Sequence, residues 1–329
     1  MIGPSPIGEI DVPDAAAFRD VISSYAPVVI RGLVRDWPIV RAGEESTEAV
    51  AAHLLGFDRG AAAEAFVGSS EIGGRFFYSP DMKGFNFERR RGAFAELLRY
   101  LQSVVGKDGA PAVYAGALET AEMLPGFAEA NPLPLLAGLD APPRIWLGNR
   151  SIISTHFDVS DNVACVAAGK RRFTLFPPDQ IHNLYVGPLD RTVAGQPTSM
   201  VELNAPDFER FPRFREALAA ARTAEIEPGD AIYIPALWWH QVEALAPFNC
   251  LVNYWWNDSP DAAARFDAMV HAAMAIGHLP AERRGAWEAM FDTFVFRHHG
   301  DPVAHLAPEH RSVLGAPTPA LRQYIKAYL

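Results

Sequence analysis

Cysteine is scarce in this chain: Cys165 and Cys250 are the only two in 329 residues, and each stands inside an apolar run. That leaves nothing from which to build a disulfide framework, so both are expected as buried free thiols of a reducing compartment. No apolar stretch reaches the roughly 20 residues that a membrane-spanning helix needs. Met1-Ile2-Gly3-Pro4-Ser5 has no basic segment ahead of an apolar one, so no signal peptide is expected. A soluble, cytoplasmic protein is the expectation. Positive charge is also in short supply, with 29 Lys and Arg against 39 Asp and Glu, a formal net charge of −10 and a pI of about 5.5. An acidic chain can hold RNA on a local basic patch, but nucleic acid is not the first partner to expect. Internal repeats and low-complexity tracts are absent.

Apolar residues are plentiful. They make up 49% of the sequence, enough for one large domain with appendages or for two domains. Helical spacing is expected over Asp14–Ser24, with Asp14 as cap, over Thr47–Leu55 and over Phe94–Val105. Pro27–Gly32 reads as a strand, and residues 120–143 as loops and short helices. From Arg144 to Asn257 the pattern turns to β. Strands are expected at Arg144–Gly148, Ile152–Asp158, Asn162–Ala168, Arg172–Phe176, Ala231–Pro235, Trp239–Leu245 and Cys250–Trp256. Pro177-Pro178 ends one run, since proline cannot donate to a ladder, and Pro228-Gly229-Asp230 marks a turn. Many short strands without long intervening helices argue for a sandwich or barrel. Residues 203–222 read as an insertion with a short helix, and the chain after Asn257 as helices. The predicted organisation is an N-terminal flank over 1–143, a β core over 144–257 and a helical region over 258–329.

Chemistry concentrates at His156-Phe157-Asp158 and His240. On a strand, side chains two apart share a face, so His156 and Asp158 can grip one ion together. His240 from a distant strand completes two imidazoles and one carboxylate, the facial set of a mononuclear Fe(II) oxygenase with one side of the metal open. The competing expectation is a core histidine, a strand-end cap and a surface histidine. The other histidines, His298-His299 included, read as surface or packing residues, because neighbours on a helix do not face one site. The run Glu88-Arg89-Arg90-Arg91 reads as a solvated face.

Taken in order, these blocks resemble a family. Thr155–Asp158, Asn162, Gly169–Pro178, Pro206–Pro212 and Pro228–Pro235 through Trp238-Trp239-His240 are similar to the JmjC/cupin-8 class of Fe(II)- and 2-oxoglutarate-dependent oxygenases, with most likeness to its asparaginyl hydroxylase of hypoxia-inducible factor. Pro27–Gly32 and Asp36-Trp37-Pro38 resemble the family's opening strand and turn. The resemblance implies a mainly β fold, a double-stranded β-helix (jelly roll) with a helical N-terminal flank and C-terminal helices. It implies Fe(II) held by His156, Asp158 and His240, with 2-oxoglutarate and O₂ as cosubstrates. Arg171 then falls where the distal carboxylate of 2-oxoglutarate needs a cation, with Lys170 as fallback. Asn162 and Asn253 match amides at the iron-bound end, and Tyr114 a tyrosine on the distal carboxylate. Phe77, Tyr78 and the loop after them resemble a lid, and Trp255 stands with Trp238, Trp239 and Trp256 as a wall of the site; alternation sends at least half of these tryptophans to the core.

Two departures stand out. Ile153 occupies the place of a threonine that contacts the cosubstrate, so one hydrogen bond is missing. Residues 188–201 do not reproduce the arginine–glutamine pair that reads the hydroxylase's peptide, so asparagine is not implied as the target. The leading expectation is a dioxygenase that hydroxylates a protein or peptide side chain. The alternatives are a hydroxylase of a free amino acid, small molecule or modified tRNA base, and a non-catalytic cupin that binds a ligand. The C-terminal helices are expected to build a homodimer, and no membrane partner is expected.

Overall fold

Two β-sheets face each other and hold the site between them. The computed structural model describes residues 3–193, 195–259 and 262–328. The chain divides into two units, Met1–Ala262 and Ala263–Leu329.

In the first unit the smaller sheet runs Ser5–Pro6, Arg222–Ile226, Arg171–Phe176, Trp239–Ala244, Ser151–His156, Arg75–Phe76. The larger sheet runs Gly8–Ile10, Val28–Ile30, Ala231–Ile234, Asp161–Ala168, Asn249–Trp256, Pro143–Gly148, Ala112–Glu119, Ala62–Gly68, Phe87–Ala93. This is the expected jelly roll. The period of two explains the layers. Along Asp161–Ala168, Ala164 and Val166 face the smaller sheet and pack with Phe173, Leu175, Ile226, Ile232 and Leu251. Val163, Cys165 and Ala167 face the other way, against Phe18, Ile39, Val50, Leu54, Phe94 and Leu98 of the flanking helices. Each fully buried side chain of this size contributes about 1.5–3 kcal/mol. Both cysteines are buried and free, as expected.

The helices start where their caps stand. Asp14 accepts from the amides of Ala16 and Ala17, and helix Ala15–Ser24 closes on Tyr25 in the left-handed region, with φ 51°. Ser46 caps Thr47–Leu55. Close packing shapes the sheet where residues are smallest. A Cβ on Gly148 would stand 2.5 Å from the carbonyl oxygen of Val113, so only glycine allows the approach of strand Ala112–Glu119.

Besides Ser5–Pro6, Gly8–Ile10, Arg75–Phe76 and Arg222–Ile226, three longer strands escaped sequence reasoning: Ala62–Gly68, Phe87–Ala93 and Ala112–Glu119. The first and last are rich in alanine, which carries little strand signal. Phe87–Ala93 is the edge of the larger sheet. Its run Glu88–Arg91 is exposed, so the expected solvated face is a charged edge strand, a common guard against edge-to-edge pairing. One strand is shorter than predicted: Ser151–His156 ends at His156, and Asp158 lies beyond it.

The second unit holds helix Ala262–Ile276, whose first residue closes the first unit, with Ala281–Phe294, Pro319–Tyr328 and two short 3₁₀ turns. Among its described residues Val303 is the one buried side chain, while Met269, Met274, Trp287, Met290, Phe294 and Phe296 are exposed. No described helix is long and apolar enough to cross a membrane.

Candidate metal centre

His156 ends one strand of the smaller sheet and His240 nearly begins its neighbour. The two strands pair antiparallel with these histidines opposite each other. Their ring centroids stand 4.4 Å apart. Asp158 reaches the same point from the loop, not from the strand as the alternation argument assumed. Its position is set by the amide of Leu237, which donates to its carbonyl oxygen at 2.7 Å. One ligand atom from each of His156, Asp158 and His240 lies within 4.8 Å of the others, and this is the only such group among the described residues.

The orientation of both imidazole rings suits a cation. Nδ1 of His156 stands 2.9 Å from the carbonyl oxygen of Ser154, and Nδ1 of His240 3.0 Å from that of Trp238. A carbonyl can only accept, so each Nδ1 carries the hydrogen and each Nε2 presents a lone pair. Burial pushes the His240 pKa down to about 4; the neighbouring His156 adds to this and Asp158 opposes it. The 3.6 Å approach of His240 Nε2 to Asp158 Oδ2 is therefore no ion pair at neutral pH. It is the spacing of two ligands that a metal would share.

A narrow cavity of about 70 Å³ opens from this point between the sheets. Arg171 begins strand Arg171–Phe176 and points into it with Phe173. It is 3% exposed, no carboxylate pairs with it among the described residues, and its Nε is buried with no partner. Desolvation draws its pKa down. Arginine still keeps its charge, and an uncompensated buried charge costs several kcal/mol. A dianionic ligand chelating a cation at one end and meeting Arg171 at the other fits this charge pattern. Tyr114 lines the same cavity with its hydroxyl pKa pushed up by burial, so it stays a donor.

The two asparagines are tied together: Asn253 Nδ2 donates to Asn162 Oδ1 at 3.2 Å. Trp146 holds Asn253 from the other side, Nε1 donating to Oδ1 at 2.6 Å. Sequence reasoning passed over Trp146, although the alternation of its predicted strand could have turned it inward. Trp255 lines the cavity against Trp146 and beneath Arg144, and its Nε1 is buried without a partner. Ile153 also lines it, an apolar surface where a hydroxyl was missed. Trp238, Trp239 and Trp256 pack in the core.

Lys170 is not brought to the site. It faces away from Arg171, as adjacent strand residues do, and its Nζ pairs with Glu225 at 2.7 Å and Glu227 at 3.2 Å. Phe77 and Tyr78 do not line the metal cavity either. Phe77 lies under the guanidinium of Arg75, and the hydroxyl of Tyr78 donates to the carbonyl of Arg191 at 2.6 Å. Tyr78 thus ties its own loop to the segment that covers His156. Gln196 in that segment lines a small void beside His156, with its Oε1 buried and unpartnered. Sequence reasoning passed over this residue too, and a lone glutamine in a loop carries no signal that could have found it.

Residues 14–262 match the family model described as a cupin-like domain. The chain belongs to the cupin-like family. Curated relatives of this cupin-like chain include a lysine-specific demethylase of Arabidopsis thaliana, 32% identical over 32% of this chain and 19% of its own length. Another is tRNA wybutosine-synthesizing protein 5 of Danio rerio, 35% identical over 32% of this chain and 29% of its own length. The protein of that name from Mus musculus is 31% identical over 40% of this chain and 43% of its own length. The cupin-like chain thus spans less than half the length of each of these three.

Proposed function

We propose that this cupin-like protein is an Fe(II)- and 2-oxoglutarate-dependent dioxygenase that hydroxylates a protein or peptide side chain. The observation that carries the reading is Arg171, a buried cation without a counter-ion, facing the same cavity as two imidazoles and one carboxylate. His156, Asp158 and His240 would hold the iron. Arg171 and Tyr114 would hold the distal carboxylate of 2-oxoglutarate, and Asn162 and Asn253 would border its metal-bound end. When bound, the iron supplies the coupling of 2-oxoglutarate decarboxylation, which yields succinate and CO₂, to the transfer of one O₂ oxygen atom into a substrate C–H bond. The protein's part is to orient these reagents and keep out water. Gln196 offers a buried acceptor beside His156, which suits a substrate group bearing N–H.

A second reading is hydroxylation of a modified tRNA base, favoured by the likeness to tRNA wybutosine-synthesizing protein 5. The net charge of −10 weighs against it. A purely binding cupin has less support, because the metal-ligand set is complete. The test is succinate formation from 2-oxoglutarate by the iron-loaded protein, alone and with pools of peptides, small molecules and tRNA. Stimulation by peptides supports the first reading, and stimulation by tRNA alone replaces it with the second. No turnover under any condition removes both.

We further propose a cytoplasmic homodimer formed by the second unit. Six large apolar side chains exposed on helices and a turn with one buried residue suit a second copy of the same helices. A monomer by light scattering removes this proposal.

A further inference from the structure

The chain passes from strand Ala231–Ile234 to strand Trp239–Ala244 through a turn at Pro235-Ala236-Leu237-Trp238. Leu237 in this turn has φ 65°, a region side chains rarely adopt, and is 46% exposed. Apolar packing of Leu237 therefore does not hold the turn. Hydrogen bonds do. The hydroxyl of Tyr25 donates to the carbonyl of Ala236 at 2.5 Å, and the indole of Trp238 donates to the carbonyl of Tyr25 at 3.1 Å. The amide of Ala236 donates to Asp161 Oδ1 at 3.3 Å, and the hydroxyl of Tyr233 donates to the same oxygen at 2.7 Å.

Two further bonds lead from the turn to the metal ligands. The amide of Leu237 donates to the carbonyl of Asp158 at 2.7 Å, and His240 Nδ1 donates to the carbonyl of Trp238 at 3.0 Å. Asp158 lies past the end of its strand and has no ladder bond of its own. Its location therefore depends on the turn more than that of either histidine does.

We propose that Tyr25 and Asp161 are positioning residues for the metal centre, acting through the Pro235–Trp238 turn on Asp158 and His240. Neither touches the cavity. Tyr25 belongs to the end of the first helix, 211 residues away from the carbonyl it grips. The N-terminal helix is thus part of the metal centre and not merely a flank of it. The proposal rests on the reading of His156, Asp158 and His240 as metal ligands.

The test uses Co(II) as probe on the full chain, read by titration and by its visible ligand-field spectrum, without turnover. Tyr25→Phe removes one hydroxyl at a half-exposed position, and Asp161→Ala removes the shared acceptor. Asp161→Asn keeps Oδ1 and is the conservative rescue. Tyr25→Phe and Asp161→Ala are expected to weaken Co(II) about tenfold or more, the range seen when groups behind metal ligands are removed. The spectrum should shift, while Asp161→Asn stays near the parent protein. Titrations are run well below each variant's melting temperature, so that a less stable fold does not pass for a weaker site. Unchanged affinity and spectrum in folded Tyr25→Phe and Asp161→Ala overturn the proposal and leave the metal site standing. Failure of the parent protein to bind Co(II) overturns both.

Discussion

Trp146 donates its indole N–H to the side-chain oxygen of Asn253 at 2.6 Å, from the neighbouring strand of the larger sheet. That bond fixes which way the carboxamide faces. Its oxygen is taken, so its NH₂ turns to Asn162 Oδ1. The chain of donors then ends on the NH₂ of Asn162, at the cavity that His156, Asp158 and His240 also line. A carboxamide alone could present either end. A carboxamide held by a tryptophan presents only a donor onward, which is what an anionic ligand requires. The polar wall of the site is therefore set before any ligand arrives.

Arg171 should reveal itself by opposite effects on stability and binding. In the ligand-free protein it is a buried charge with no partner, and removing such a charge in favour of an apolar side chain is neutral or stabilising by about 1–4 kcal/mol. Arg171→Met is thus expected to keep or raise the melting temperature. The same change should weaken 2-oxoglutarate about 100-fold or more, measured by calorimetry with Zn(II) in place of iron, because the distal carboxylate loses a charge-assisted bidentate partner. A variant that melts much earlier than the parent protein counts against the absence of a counter-ion.

Asp158 makes the complementary case. Its backbone carbonyl is held by Leu237, but its carboxylate meets only the histidine group. Asp158→Ala should leave the fold within about 1 kcal/mol of the parent protein, since a half-buried carboxylate outside a network contributes little. It should abolish Co(II) binding and succinate release together. Retained metal affinity in this variant would remove Asp158 from the ligand set.

How much of this was legible in the sequence depends on the range of the physics. The three ligand candidates could be read because motif order and residue type carry them. The strand argument for Asp158 brought it beside the two histidines by the wrong geometry, since strand pairing stops at His156 and a backbone bond from Leu237 takes over. Arg171 and Lys170 could be separated only by which way the strand faces, and one residue of register decides that. Strand Ala62–Gly68 has no β-branched pattern to betray it and exists because Ala112–Glu119 and Phe87–Ala93 pair on either side. Tyr25 and Asp161 lay out of reach altogether. Their partners are one backbone carbonyl and one backbone amide of a distant turn, and no residue type marks those.

His240 predicts how stability depends on pH. Burial lowers its pKa from the usual 6.5 to about 4. Between those values the unfolded chain binds a proton that the folded protein refuses, so stability falls as pH drops through that window. Above about 6.5 neither state is protonated, and the full stability is present. The shift corresponds to roughly 3 kcal/mol if no other group intervenes. Asp161 works the other way, since burial raises its pKa and the folded state holds its proton longer. The comparison that isolates His240 is urea unfolding of the metal-free parent protein and His240→Gln at pH 7.5, 6 and 5. The parent should lose more stability than the variant over this range. Equal losses would assign the dependence to other groups.

Ile153 is the residue whose replacement should improve the site. Its side chain lines the cavity beside His156 and Arg171, where it can offer a ligand only apolar contact. Ile153→Thr puts one hydroxyl in place of an ethyl group. In the ligand-free protein that hydroxyl has little to bond with, and with the lost ethyl group the change should cost about 2–4 kcal/mol. With Zn(II) and 2-oxoglutarate bound, the hydroxyl can donate to a carboxylate, and a hydrogen bond to a charged group recovers about 1.5–3 kcal/mol. The variant is therefore expected to melt earlier than the parent protein alone, to bind 2-oxoglutarate about tenfold more tightly, and to show a larger rise in melting temperature on ligand addition. Tighter binding without the stability loss would mean that the hydroxyl already finds a partner in the empty site. Weaker binding would place the cosubstrate away from Ile153 and against another wall of the cavity.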